Sequence, residues 1–130
     1  RPLVVTSDLQ LKKLEVGAQY PINDILFGTN SSEINDTIKT VLDDFAEYLQ
    51  LNPKLRVGIQ GHTDNVGNPG DNMALSERRA KAVFDYLVGQ GITATRMTHK
   101  GYGETKPLFP NATEAGRAKN RRTVFVVSQN

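Results

Sequence analysis

Residues 55–91 read LRVGIQGHTDNVGNPGDNMALSERRAKAVFDYLVGQG, and the reading of this stretch decides the fold. Leu55, Val57 and Ile59 alternate with Arg56, Gly58 and Gln60, the period-two pattern of a strand with one buried face. A loop from Thr63 to Asp71 follows, with Gly67, Pro69 and Gly70 in it. From about Met73 to Val88 the apolar residues change to helical spacing, and Gly89 and Gly91 mark the helix end. A strand passing into a helix through a polar loop is one half of a βαβ unit.

Working outward, Tyr20 to Phe27 suits a strand, with Pro21 at its start where it costs least. Ser31 or Ser32 is the expected cap of a first helix, in which Ile34, Ile38, Val41, Leu42, Phe45 and Leu49 recur on one side. Asn52-Pro53 stops it, because proline disfavours helix in the residue before it. Beyond the central stretch, Met97 to Lys100 is expected as a short strand and Gly101 to Ala112 as a long loop. Thr113 can cap a helical turn through Lys119, and Thr123 to Val127 is an unbroken β-prone run suited to a central strand. The expected fold is α/β, a βαβαβ-type sandwich with two main helices packed on a small mixed β-sheet. Residues 1–19 read as a lead-in and 20–130 as the domain. The chain begins at Arg1 with no apolar signal-like segment, so it reads as a piece of something longer, with any export signal or anchor outside it.

Composition narrows the chemistry. The 130 residues suit one domain, and there is no cysteine, which excludes a disulfide scaffold, a thiolate metal site and a cysteine nucleophile. The net charge of +2 hides an asymmetry: residues 1–75 carry 6 basic and 10 acidic side chains, residues 76–130 carry 10 basic and 4 acidic. The basic excess includes Arg78, Arg79, Lys81, Arg117, Lys119, Arg121 and Arg122, and reads either as solvated surface charge or as a local anion site. No basic stretch is interleaved with aromatic residues that stack bases, so no nucleic-acid partner is expected. No apolar run approaches the roughly 18 residues of a membrane-spanning helix.

The second helix carries the polar site. At about 100° per residue, Val83, Leu87, Ala80 and Phe84 define an apolar face with Arg79 on its border, while Arg78 lies about 160° from its centre and must point into water. Asn72 and Ser76 share the Arg79 stripe if the helical path extends back to Asn72. Free N–H groups at the helix start attract anions, and Arg79 adds a planar fork suited to a carboxylate. Asp64, at the carboxyl end of the preceding strand, would stand close by, where ligands usually bind in α/β sheets. An acid and a base on one rim match a zwitterion with a free amine and a free carboxylate. They equally match a structural ion pair between Asp64 and Arg79.

The stretch Gly61-His62-Thr63-Asp64-Asn65-Val66-Gly67, followed by Asn72-Met73-Ala74-Leu75-Ser76-Glu77-Arg78-Arg79-Ala80, resembles the OmpA-like C-terminal domain. Further matches run in order through Gly91-Ile92, Gly101-Tyr102-Gly103-Glu104, Gly116-Arg117 and Asn120-Arg121-Arg122, so that the likeness covers about residues 20–128. This family is the peptidoglycan-binding module of outer-membrane proteins, peptidoglycan-associated lipoproteins and flagellar motor stators. The resemblance implies noncovalent binding of the peptidoglycan stem peptide, anchoring an envelope protein to the wall in the periplasm, with the parent protein tied to the outer membrane. It implies that Asp64 and Arg79 hold diaminopimelate, that Asn72 and Leu75 frame the helix start, that Thr63 lies in the pocket and that Arg122 supports it. Phe27 and Asn30 match the family's first-strand motif, from which Gly28 departs.

Other chemistry has less behind it. His62 and Asp64 form an H-x-D pair, two donors where a metal site needs three or four, and Val66 stands where a calcium loop needs an oxygen ligand. Ser76 has no histidine partner by motif, and no cofactor is implied. The chain is therefore expected not to be an enzyme. The alternatives are a cell-wall hydrolase and a protein-interaction module that has lost wall binding.

Overall fold

A computed structural model describes residues 19–22, 27 and 31–129. Among the described residues four strands and three α-helices alternate: β1 (Gln19–Ile22), α1 (Asp36–Leu51), β2 (Arg56–His62), α2 (Pro69–Gly89), β3 (Met97–Gly103), α3 (Glu114–Asn120) and β4 (Arg122–Gln129). The sheet order is β1-β4-β2-β3. β2 and β3 run parallel across the α2 crossover, while β4 is antiparallel to both β1 and β2. This is the small mixed sheet expected, with the Thr123–Val127 run in its interior.

The core forms where the alternating residues of the sheet meet the apolar stripes of α1 and α2. Val57 and Ile59 stand opposite Val127 and Phe125 in the β2–β4 register. Against them pack Ile38, Leu42, Phe45 and Leu49 of α1 and Ala80, Val83 and Leu87 of α2, all buried. The rings of Phe45 and Phe125 stack with centroids 3.8 Å apart, joining helix layer to sheet.

Several boundaries differ from expectation. The first helix is capped by Asn35, whose side chain accepts from the Ile38 N–H, and not by Ser31 or Ser32. Ser31 instead accepts from the Glu33 N–H in a local turn. α2 begins at Pro69, four residues before Met73, because Asn68 accepts from the Gly70 and Asp71 N–H groups and proline at the first position has no N–H to satisfy. β3 continues past Lys100 to Gly103. β1 is described only over Gln19–Ile22, Phe27 lies outside any strand, and the remainder of the expected 20–27 strand falls outside the described residues, as does most of the 1–19 lead-in.

The N-terminal half of α2 lies directly on the ends of β2 and β3. A Cβ on Gly61 would meet the Ser76 carbonyl oxygen at 2.3 Å, and one on Gly101 would meet the Glu77 backbone nitrogen at 2.2 Å. The approach is fixed by side-chain bonds: Ser76 Oγ accepts from the Gly103 N–H at 2.8 Å and Glu77 Oε2 from the Gly101 N–H at 2.7 Å. Glu77 also pairs with the His99 ring. These bonds occupy N–H groups that an edge strand otherwise presents to other chains.

Candidate functional site

A pocket of about 500 Å³ opens beyond the carboxyl end of β2. It is lined by Thr63 and Asp64 after β2, Asn72, Leu75 and Arg79 of α2, Phe27, and Glu114, Arg117, Arg121 and Arg122 around α3 and the start of β4. Thr63, Asp64, Asn72, Leu75, Arg79 and Arg122, all singled out in the sequence, thus come together. Asn30 and Gly28 lie outside the described residues.

Asp64 is held by its own loop. Its Oδ1 accepts from the Val66 N–H at 3.0 Å, and the residue is 7% exposed. Its Oδ2 accepts from Arg121 at 2.6 Å, not from Arg79. The expected alternative of an Asp64–Arg79 ion pair is therefore replaced by a pair with a residue 57 positions further on. The other arm of Arg121 reaches Glu114 Oε1 at 2.8 Å, so one guanidinium bridges a buried acid and an exposed one. Arg121 holds the Glu114 carboxyl below its usual range, and the two acids together raise the Arg121 pKa.

Arg79 enters from the opposite wall. Its Nε donates to the Ser31 carbonyl at 2.8 Å, and its guanidinium lies 5.1 Å from the Phe27 ring centroid. Burial lowers its pKa, Arg121 and Arg78 lower it further, and Asp64 opposes them. A cation disfavoured by its surroundings gains from an incoming anion. Arg78 is exposed and Arg79 half-buried, as the helical phase requires.

Three expected details change. Asn72 turns its amide toward the loop, donating to the Val66 carbonyl at 3.0 Å and, more weakly, toward the Asp64 carbonyl at 3.4 Å, so it clamps the segment that carries Asp64. The N–H groups of Asn72 to Leu75 are not the free start of a helix, because α2 begins at Pro69 and its exposed first turn is capped by Asn68. Ser76 is fully buried under the pocket and bonds Gly103 and the Met73 carbonyl. Arg122 donates to the Asn120 and Lys106 carbonyls and fixes the loop before α3. Asn120, with no exposed surface, accepts from the Leu108 and Phe109 N–H groups and donates to the Phe109 carbonyl and Asn111, anchoring the same loop.

Sequence reasoning missed Glu114, Arg117 and Arg121 as pocket residues. Their spacing of three and four places them on one face of a helix, a signal present in the sequence. Among the described residues no three histidine, aspartate or glutamate side chains converge as metal ligands, and no helix is long and apolar enough to cross a membrane.

His62, 4% exposed on the pocket floor, stacks on Tyr102 with ring centroids 5.4 Å apart. Burial first, then the charges of Arg122 and Lys106, push its pKa down from 6.5 to about 4. Because the folded value is depressed, its contribution to stability is complete above about pH 6.5 and is lost as pH falls toward 4. Urea titrations from about pH 7.5 to 4 are expected to show a loss of up to about 3 kcal/mol across this window. His62→Gln should flatten that part of the profile, and an unchanged slope would show that His62 is not its source.

Comparison with known proteins agrees with this architecture. The OmpA family model matches residues 26–121. The chain is 41% identical over 104 residues to the peptidoglycan-binding protein ArfA of Mycobacterium tuberculosis, covering 80% of this chain but 32% of that protein, so it spans about a third of that relative's length. It is 40% identical over 107 residues to the peptidoglycan-associated lipoprotein of Haemophilus influenzae, covering 82% of this chain and 70% of that protein. The structure of the cell wall anchor of the T6SS from Pseudomonas aeruginosa superposes with a TM-score of 0.76 at 29% identity, over 99% of this chain and 98% of that one. With its mixed sheet, its two packed helices and a polar pocket beyond β2, the chain belongs to the OmpA family.

Proposed function

We propose that this chain is a non-catalytic anchor that grips the stem peptide of peptidoglycan through the side-chain end of diaminopimelate. It acts in the periplasm, as the wall-binding part of a longer envelope protein tied to the outer membrane, with residues 20–130 as the binding domain and 1–19 as its lead-in. The observation that carries this reading is the opposition of Asp64 and Arg79 across one pocket, one offering an acceptor to an amine and the other donors to a carboxylate. Relatives described as peptidoglycan-binding, peptidoglycan-associated and a cell wall anchor support the polymer as partner. Thr63 and Leu75 complete the pocket wall, Asn72 steadies the Asp64 loop, and Arg122 braces the opposite rim.

The test is cosedimentation with purified walls. Walls built on diaminopimelate are expected to retain the protein, whereas walls with lysine at that position, which lack the side-chain carboxylate, should retain much less. Equal retention on both would sink the zwitterion reading while leaving wall binding intact. Muropeptides released into the supernatant would instead show a hydrolase.

A further inference from the structure

The acceptor of this pocket already has a cation on it. Asp64 is buried, and Arg121 bonds its Oδ2 at 2.6 Å. Arg121 also has a second partner that it keeps when Asp64 is taken from it, since its other arm bonds Glu114, whose side chain is 66% exposed. Arg79 and Arg121 meet the same cavity from different walls and repel one another. We propose that Arg121 is the specificity-determining residue of the pocket: by occupying Asp64 it prevents the site from accepting a bare ammonium and makes binding depend on a carboxylate arriving with it. This rests on the zwitterion reading above.

The physical argument is one of exchange. An incoming ammonium that displaces Arg121 from Asp64 replaces one charge-assisted hydrogen bond with another of the same kind. It also leaves Arg121 on Glu114 alone, an exposed pair of little worth, and less neutralised where it faces Arg79. A lysine-type side chain gains little from that exchange. A ligand that brings a carboxylate beside its amine supplies a negative charge to the two guanidinium groups, so amine and carboxylate are recognised together. Rejection of the wrong ligand comes from a group built into the site, which is how selectivity is commonly gained.

The experiment titrates the wild-type chain, Arg121→Gln and Arg121→Lys with two soluble stem tripeptides, one ending in diaminopimelate and one in lysine, by calorimetry. Arg121→Gln is expected to bind the lysine tripeptide about tenfold more tightly than wild type, and the preference for diaminopimelate should shrink about tenfold, the scale of one charged pair. Arg121→Lys keeps the charge but loses the two-armed bridge, and its preference should lie between the two; it also carries the test if Arg121→Gln fails to fold. Weakening of both tripeptides by the same factor, or an unchanged preference, overturns the proposal and leaves the wall-binding reading standing. A wild-type chain that binds neither tripeptide overturns both.

Discussion

Asp64→Ala and Arg79→Ala are each expected to abolish cosedimentation with diaminopimelate walls, while Arg78→Ala, one residue away, leaves it unchanged. Truncating one partner of a desolvated charged hydrogen bond costs about 2–5 kcal/mol, which is roughly a 30-fold to several-thousand-fold loss of affinity. The contrast between the two arginines is the informative part. Both carry the same charge, so a general electrostatic attraction to the wall would penalise their loss alike. Only Arg79 lines the pocket, whereas Arg78 faces solvent on the other side of α2. Asp64→Ala leaves Arg121 its bond to Glu114 but removes the acceptor of the Val66 N–H, so its melting temperature is to be measured beside its binding. Arg79→Ala also removes a bond to Ser31 and a contact with Phe27, so its melting temperature should be measured beside its binding. Equal losses for Arg78→Ala and Arg79→Ala would show that a diffuse charged surface, not this pocket, holds the wall.

A large loss of stability is expected at Gly61 and Gly101. An alanine methyl there has no flexible side chain to push aside: it meets backbone atoms of Ser76 and Glu77 at 2.3 and 2.2 Å. The relief is to lift α2 off the sheet. That breaks the bonds from Ser76 and Glu77 to β3 and opens the core behind Ala80 and Val83. Gly61→Ala or Gly101→Ala should cost about 3–5 kcal/mol, beyond ordinary overpacking because backbone must move, and lower the melting temperature by roughly 10–20 °C. Gly89 is the control. It ends α2 with nothing within 4 Å of the place a Cβ would take, so Gly89→Ala should be neutral or stabilising by about 0.5 kcal/mol. Calorimetric melts of the three variants decide the matter; comparable melting points would mean that α2 is free to shift.

The pattern of success follows from which forces are local. The phase of α2 was legible because Ala80, Val83 and Leu87 must all face the core, and that alone turns Arg78 out and leaves Arg79 at the border. The interior position of β4 was legible from the unbroken β-prone run Thr123 to Val127. The start of α2 was also written in the sequence, as asparagine followed by proline, yet the glycine beside them reads equally as a turn. The pairing of Asp64 with Arg121 was not legible, because it depends on the angle at which α3 leaves the sheet and returns into β4. Charge type and helical spacing mark Arg117 and Arg121 as one face, but nothing local aims that face at the end of β2. The resemblance to a family supplied Asp64 and Arg79 as partners of a ligand; it did not supply what Asp64 does before a ligand arrives.

The sheet order has a consequence for how the chain is made. A polypeptide that emerges amino end first produces β1 early, yet among the described residues β1 pairs only with β4, and β4 ends at Gln129. Until then β1 lacks its neighbour in the sheet, and β2 has only β3. The two arginines that close the pocket, Arg121 and Arg122, arrive with the same late segment. Sheet closure and pocket assembly therefore both wait on the segment that carries β4. A chain that stops before Arg122 lacks an interior strand of this sheet, not an edge strand, and with it the join between β1 and β2.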